Sequence, residues 1–196
     1  MAYFAPIVEG HGEVEAVPAL LHRITGTDRN SEILRVNPPI RVKAGSFLSD
    51  FDYFRRYVSL AGAKAAQEGG NVLILLDCED ACPETRGTDL LARARQVRSD
   101  VNIVVALAYR EYETWFLTAA RSLSGINGLP EDLDPPSDPD SIRDAKGWLS
   151  DRMNVPYDAP THQLQFTRVF DLDTANRNHS FRRFRQRVLG LMGGAT

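Results

Sequence analysis

The chain has 196 residues, 43% of them apolar and 25% charged, with 23 Lys+Arg against 26 Asp+Glu and a net charge of −3. That size suits one α/β domain, or a domain with an appendage, whose core holds without disulfides or a structural metal, and the apolar content excludes a wholly disordered chain. No apolar run approaches the ~18 residues of a membrane helix, the start MAYFAPIVEG lacks a basic leader region, and Cys78 and Cys82 make no secreted disulfide scaffold, so a cytoplasmic protein without membrane association is expected.

Tyr3 to Val8 is an apolar run ending in Glu9-Gly10-His11-Gly12, and a helical pattern follows to about Ile24; this predicts a strand, a glycine turn and a helix. Ile33 to Val42 is rich in β-branched residues but interrupted by Pro38-Pro39, which predicts an edge strand or two short strands. Phe47 to Gln67 reads as one helix, with Phe47, Phe51, Phe54 and Val58 on one face and Gly69-Gly70 as its stop. Val72 to Leu76 is continuously apolar, the signature of a strand covered on both faces, and leads straight into Asp77-Cys78-Glu79-Asp80. Next come a helix from about Thr88 to Arg98 and a second buried strand from Val101 to Leu107. A further helix opens in Tyr109-Arg110-Glu111-Tyr112-Glu113 and continues to about Arg121.

Gly125 to Pro139 reads as a long loop or lid, Ser141 to Met153 as a helix, Val155 to Thr161 as a loop, and Leu164 to Phe170 as a short helix or turn. Ser180 is the expected cap of a last helix whose Phe181, Phe184, Val188 and Leu191 share a face. Strands alternating with helices imply an α/β, Rossmann-like fold with a mainly parallel sheet, and in such sheets ligands gather outside the carboxyl ends of the strands. The expected organisation is a core over residues 1–124, with an acidic loop and a helical extension over 125–196 packed on the same domain.

Acids stand at three such strand ends. Asp77 and Glu79 point together if the extended backbone persists to Glu79, and two converging carboxylates repel unless they share a proton or bind a cation. Hard oxygen donors of this kind suit Mg²⁺ or Mn²⁺, with Asp80 as a further ligand; the alternative is a capping turn whose acids face water. Glu9 ends the first strand beside glycine, where a carboxylate has little structural purpose. Glu13, one turn into the helix, suits either the metal or the positive helix end. Glu111 and Glu113 face different ways if both are helical but converge if the helix begins only at Glu113, and Glu113 is the preferred ligand of the two. Lys146 is either a surface lysine or a cation for a phosphate group. Cys78 and Cys82 lack the partners that would close a zinc site.

Charge is unevenly spread. From Thr174 onward there are five arginines, Arg177, Arg182, Arg183, Arg185 and Arg187, and no acid. Arg182, Arg183 and Arg187 fall largely away from the last apolar stripe, leaving a cationic surface that suits phosphates, an acidic partner or the chain's own acidic loop. His11, beside Glu9, either touches substrate or caps the turn.

Val8-Glu9-Gly10-His11-Gly12-Glu13, with Leu75-Leu76-Asp77-Cys78-Glu79-Asp80 after a later buried strand, resembles the two acidic motifs of a Toprim domain, the fold of topoisomerases, primases and OLD-family nucleases. Arg110-Glu111-Tyr112-Glu113-Thr114-Trp115-Phe116-Leu117 and Ser180-Phe181-Arg182-Arg183-Phe184 are similar to strings of an uncharacterised bacterial Toprim-like family of unknown function. The resemblance implies phosphodiester hydrolysis with one or two Mg²⁺ or Mn²⁺ ions, Glu9 being the Toprim glutamate and Asp77 and Glu79 the paired acids. Here the second of the pair is Glu rather than Asp, and Asp80 stands ready to substitute. With no tyrosine-bearing partner domain or primase machinery visible, a nuclease acting on DNA or RNA is favoured. An ATPase partner in phage defence is implied by the resemblance alone. A non-catalytic Toprim-like subunit and a small-molecule phosphohydrolase are the alternatives, and the sequence leaves the oligomeric state open.

Overall fold

A computed structural model describes residues 1–27, 33–78 and 83–192. In chain order the elements are β1 (Ala2–Val8), α1 (Glu13–Thr25), β2 (Leu34–Val36), β3 (Ile40–Arg41), α2 (Ala44–Ser49), α3 (Phe51–Gln67) and β4 (Asn71–Asp77). They continue with α4 (Pro83–Val97), β5 (Asn102–Ala108), α5 (Thr114–Thr118), α6 (Ala145–Ser150), α7 (Ala159–Val169), α8 (Leu172–Ala175) and α9 (His179–Met192). The strands form a parallel sheet in the order β2-β1-β4-β5, with β3 also paired to β1, giving a Rossmann-like α/β architecture.

Alternation along each strand divides the core between the two faces of the sheet. Phe4, Val8, Leu73, Leu75, Ala106 and Ala108 pack against apolar residues of α1, α5, α7 and α9. Tyr3, Ala5, Ile7, Val72, Ile74, Leu76, Val105 and Leu107 pack against α3 and α4. Burial on both sides is why β4 and β5 are runs of Val, Ile and Leu without polar interruption.

Pro6 lies inside a central strand, a position that normally requires a ladder N–H. Ala2 N donates to Ile33 O, while Phe4 O accepts from Asn37 N and Val8 O from Val42 N, so even-numbered residues of β1 face β2 and β3. Pro6 therefore faces the break between those two short strands, where Pro38 and Pro39 interrupt the edge and no N–H is called for.

Several boundaries differ from the sequence pattern. The expected helix from Phe47 to Gln67 is two helices, because Asp50 leaves the helical conformation and its side chain caps α3 by accepting from Asp52 N and Tyr53 N. Helix α4 begins at Pro83 rather than Thr88, with proline tolerated in a first turn. The helix expected to reach Arg121 stops at Thr118 and tightens into a 3₁₀ turn over Ala120–Leu123. Within Ser141 to Met153 only Ala145–Ser150 is α-helical, Ser141 ending a 3₁₀ turn that starts at Pro139. Asp158 caps α7 through Thr161 N, so the chain from Ala159, expected as loop, is already helix. Helix α9 is capped by Asn178, whose Oδ1 accepts from Phe181 N; Ser180 is buried, and its Oγ accepts from Trp115 Nε1 instead. The segment expected as a lid is packed, with Leu129 and Leu133 in the core.

The extension is part of the same core: Phe166, Phe170, Phe181, Phe184 and Val188 share one cluster with Phe4, Leu20, Trp115 and Phe116. Among the described residues, no helix is long and apolar enough to cross a membrane.

Candidate functional site

The turn after β1 is shaped by the helix it enters. Glu13 folds back so that its Oε2 accepts from Glu9 N (3.0 Å) and Gly10 N (3.2 Å), two donors the sheet and helix leave unpaired. Gly12 has no room for a side chain: a Cβ there would lie 2.2 Å from Gln163 Oε1 and 2.5 Å from Ala159 O, both on α7. The first turn of α1 thus rests directly on α7, and Glu13 is buried.

Strands β1, β4 and β5 end side by side. Val8 is in register with Leu75, and Asp77 with Ala108, so Glu9, Asp77 and the segment following Ala108 share one edge. Asp77 Oδ1 accepts from Tyr112 N (2.8 Å). After β5 the backbone turns at Arg110, a non-glycine residue with φ of 60°, and α5 starts only at Thr114. With neither Glu111 nor Glu113 inside the helix, both acids reach Lys146, whose Nζ lies 3.1 Å from Glu111 Oε1, 3.3 Å from Glu113 Oε2 and 3.9 Å from Asp77 Oδ2. Glu111 also accepts from Ala145 N and Lys146 N through Oε2, tying the start of α6 to this edge.

Glu113 is fully buried. Its Oε1 accepts from Tyr157 Oη (2.9 Å) and Gln163 Nε2 (3.3 Å). Its Oε2 has no hydrogen-bond partner among the described residues, only the charge contact with Lys146.

Burial pushes the Glu13 carboxyl up to about 7, helped by Glu113 and Glu9 and opposed by the N–H groups of Gly10 and Glu9. Asp77 is held well above the usual carboxylate range by burial first, then by Glu13, Glu113 and Glu9, with Lys146 pulling the other way. Glu113 is raised by burial and by Glu111, against Lys146 and Tyr157. Burial alone would lower the Lys146 ammonium, but Glu113, Asp77 and Glu111 outweigh it and raise it. Glu9, Glu13, Asp77, Glu111 and Glu113 are therefore linked electrostatically around Lys146. Among the described residues, no three His, Cys, Asp or Glu side chains already stand at a spacing that would hold a metal ion.

A family model described as "Domain of unknown function (DUF4276)" matches residues 8–189. The chain belongs to this family. The match spans the whole constellation, from Glu9 to the arginines of α9. No curated protein and no solved structure matches significantly.

The fold of this DUF4276 chain unites most of the acids expected from its sequence and leaves others aside. Asp77, Glu111 and Glu113 meet on Lys146, which is thus among three carboxylates rather than on open surface, and Glu9 and Glu13 at the adjoining end of β1 raise the Asp77 carboxyl by their charge. Glu79 and Asp80 lie outside the described residues, as does Cys82. Glu111 is committed at both oxygens to α6 and Lys146. His11 is exposed in the turn.

The arginines expected to leave a cationic surface, for phosphates, an acidic partner or the chain's own acidic loop, also make contacts within the fold. Arg183 pairs with Glu84 of α4 (2.7 Å), Arg187 donates to Val105 O on the edge of β5, and Arg185 pairs with Asp173. Arg182 Nη1 reaches Asn176 O at 3.4 Å. Arg183 and Arg187 also line a cavity of about 330 Å³ beside β5, together with Tyr109, Asp140 and His179.

Three participants escaped the sequence reading: Tyr112, whose N–H holds Asp77, and Tyr157 and Gln163, which hold Glu113. Asp158-Ala159-Pro160-Thr161 is a helix-start signature that would have placed Gln163 on a helix. No local pattern marks Tyr157.

Proposed function

We propose that this chain is a Toprim-type nuclease, dependent on Mg²⁺ or Mn²⁺, that hydrolyses phosphodiester bonds at the carboxyl edge of its sheet. The observation that carries the reading is the meeting of Asp77, Glu111 and Glu113 on Lys146 at the carboxyl edge of the sheet, with Glu9 at the adjoining end of β1. These donors fit a hard divalent cation. They are carboxylate oxygens, one of them, Glu113 Oε2, is buried without a hydrogen-bond donor among the described residues, and burial and neighbouring carboxylates oppose the ionisation of Asp77 and Glu113.

Glu9, Asp77 and Glu113 would hold the ion. Bound there, it would lower the pKa of a water and offset charge on the phosphate. Glu13, with Oε2 spent on the turn, shapes the loop that carries Glu9. Tyr157 and Gln163 orient the Glu113 carboxylate, and Tyr112 N–H orients Asp77, as outer groups orient metal ligands elsewhere. Lys146 supplies a positive charge for the substrate phosphate. The buried Cys78 thiol fits a reducing, cytoplasmic setting.

The test is incubation of the pure protein with end-labelled DNA and RNA in Mn²⁺ or Mg²⁺, beside Asp77→Asn and Glu113→Gln. Wild-type cleavage lost in both variants is expected; cleavage that persists unchanged in them removes this cluster from the chemistry. The internal engagement of Arg183, Arg185 and Arg187 favours a second reading, a small phosphate ester as substrate, so phosphomonoesters belong in the same assay.

A further inference from the structure

Lysine is scarce in this chain. Of its 23 basic residues only Lys43, Lys64 and Lys146 are lysines, the rest being arginine, yet a lysine stands at the centre of the acid cluster. The choice has a steric logic. A compact ammonium fits between three carboxylates at 3.1, 3.3 and 3.9 Å, where a planar five-donor guanidinium would not. With Tyr157 and Gln163 on one oxygen of Glu113, Lys146 is the cation nearest the other. The lysine thus answers the charge that a divalent ion would answer.

We propose that Lys146 and a divalent cation compete for the same carboxylates, so that metal entry expels the Lys146 ammonium from the cluster and delivers it to the rim. This rests on the reading of the acids as a metal site. A divalent ion binds carboxylate oxygens at roughly 2.0–2.6 Å, close enough that an ammonium on the same oxygens would repel it strongly in a partly buried setting.

The lysine is built to yield. Its side chain is 39% exposed, so a path to solvent is open, and the four-carbon stem swings freely once Nζ lets go. Its backbone does not follow, because Glu111 Oε2 accepts from both Ala145 N and Lys146 N and keeps the start of α6 in place. The expelled charge stays tethered beside the ion, where an incoming phosphate would meet it.

Two measurements test this on the intact chain. In calorimetric titration with Mn²⁺, Lys146→Gln removes the competitor and should bind the ion at least about tenfold more tightly than wild type, a difference of ~1.4 kcal/mol. In wild type, brief acetylation read by mass spectrometry should show Lys146 protected in chelator and modified severalfold faster in Mn²⁺, with exposed Lys43 as the internal reference. The second measurement needs no variant, so it decides the matter if Lys146→Gln does not fold. Mn²⁺ binding to wild type with equal or weaker affinity for Lys146→Gln, or with unchanged Lys146 acetylation, overturns the competition while leaving the metal site standing. Absence of Mn²⁺ binding from both proteins overturns the metal reading and this inference with it.

Discussion

Replacing Glu13 by glutamine should alter the response of the fold to pH far more than the fold itself. A glutamine carbonyl can accept the same N–H groups of Glu9 and Gly10 that the carboxylate accepts, so the turn survives. What disappears is a titration. Burial pushes the Glu13 carboxyl from its ordinary 4.5 up to about 7, so between those values the folded chain holds a proton that the unfolded chain has released. The stability this contributes is complete below about pH 4.5 and is lost as pH rises through 7. At ~1.36 kcal/mol per pH unit, the gap corresponds to about 3 kcal/mol for this one group. Glu113, raised by burial and by Glu111, tilts wild type and variant alike, whereas Asp77, raised by burial and then by Glu13, tilts the variant less. Urea unfolding in chelator at intervals from pH 5 to 8 measures the slope directly. Wild type should lose stability across the range, and Glu13→Gln should lose at least about 2.5 kcal/mol less, the part of the gap that falls between pH 5 and 8. Parallel profiles for the two proteins, or a steeper fall in the variant, would refute the argument.

Gly12→Ala forces a Cβ onto Ala159 O and Gln163 Oε1 and should lower stability by roughly 1–3 kcal/mol in thermal denaturation, whereas Gly45→Ala, with nothing within 4 Å of its Cβ, should be neutral or slightly stabilising. Tyr157→Phe withdraws one of the two donors on Glu113 Oε1 and should cost about 1–3 kcal/mol, with a larger fall in melting temperature at pH 8 than at pH 5 because the ionised carboxylate needs the donor more.

The sheet was legible because its central strands are buried on both faces, and unbroken runs such as Val72 to Leu76 admit few other readings. The acids at the strand ends were legible for a related reason: a parallel sheet brings those ends together, so Glu9 and Asp77 become neighbours through topology alone. Pairings between side chains far apart in the chain were not legible. Nothing near Tyr157 announces a bond to Glu113, 44 residues earlier, and nothing near Lys146 announces three carboxylates. The partners of the α9 arginines were equally hidden: their periodicity suggests an outward stripe, and nothing near Arg183 or Arg187 announces Glu84 or the Val105 carbonyl. Helix ends were misplaced wherever an aspartate or asparagine cap overrode the apolar pattern, as at Asp50, Asp158 and Asn178.

The packing of Gly12 on α7 and the grip of Tyr157 and Gln163 on Glu113 carry a consequence for how the molecule is made. During synthesis the acid-tipped strands leave the ribosome well before Lys146, Tyr157 and Gln163 exist to moderate them. Until those late residues arrive, the carboxylates at the strand ends lack the ammonium, hydroxyl and amide groups that meet them in the folded chain.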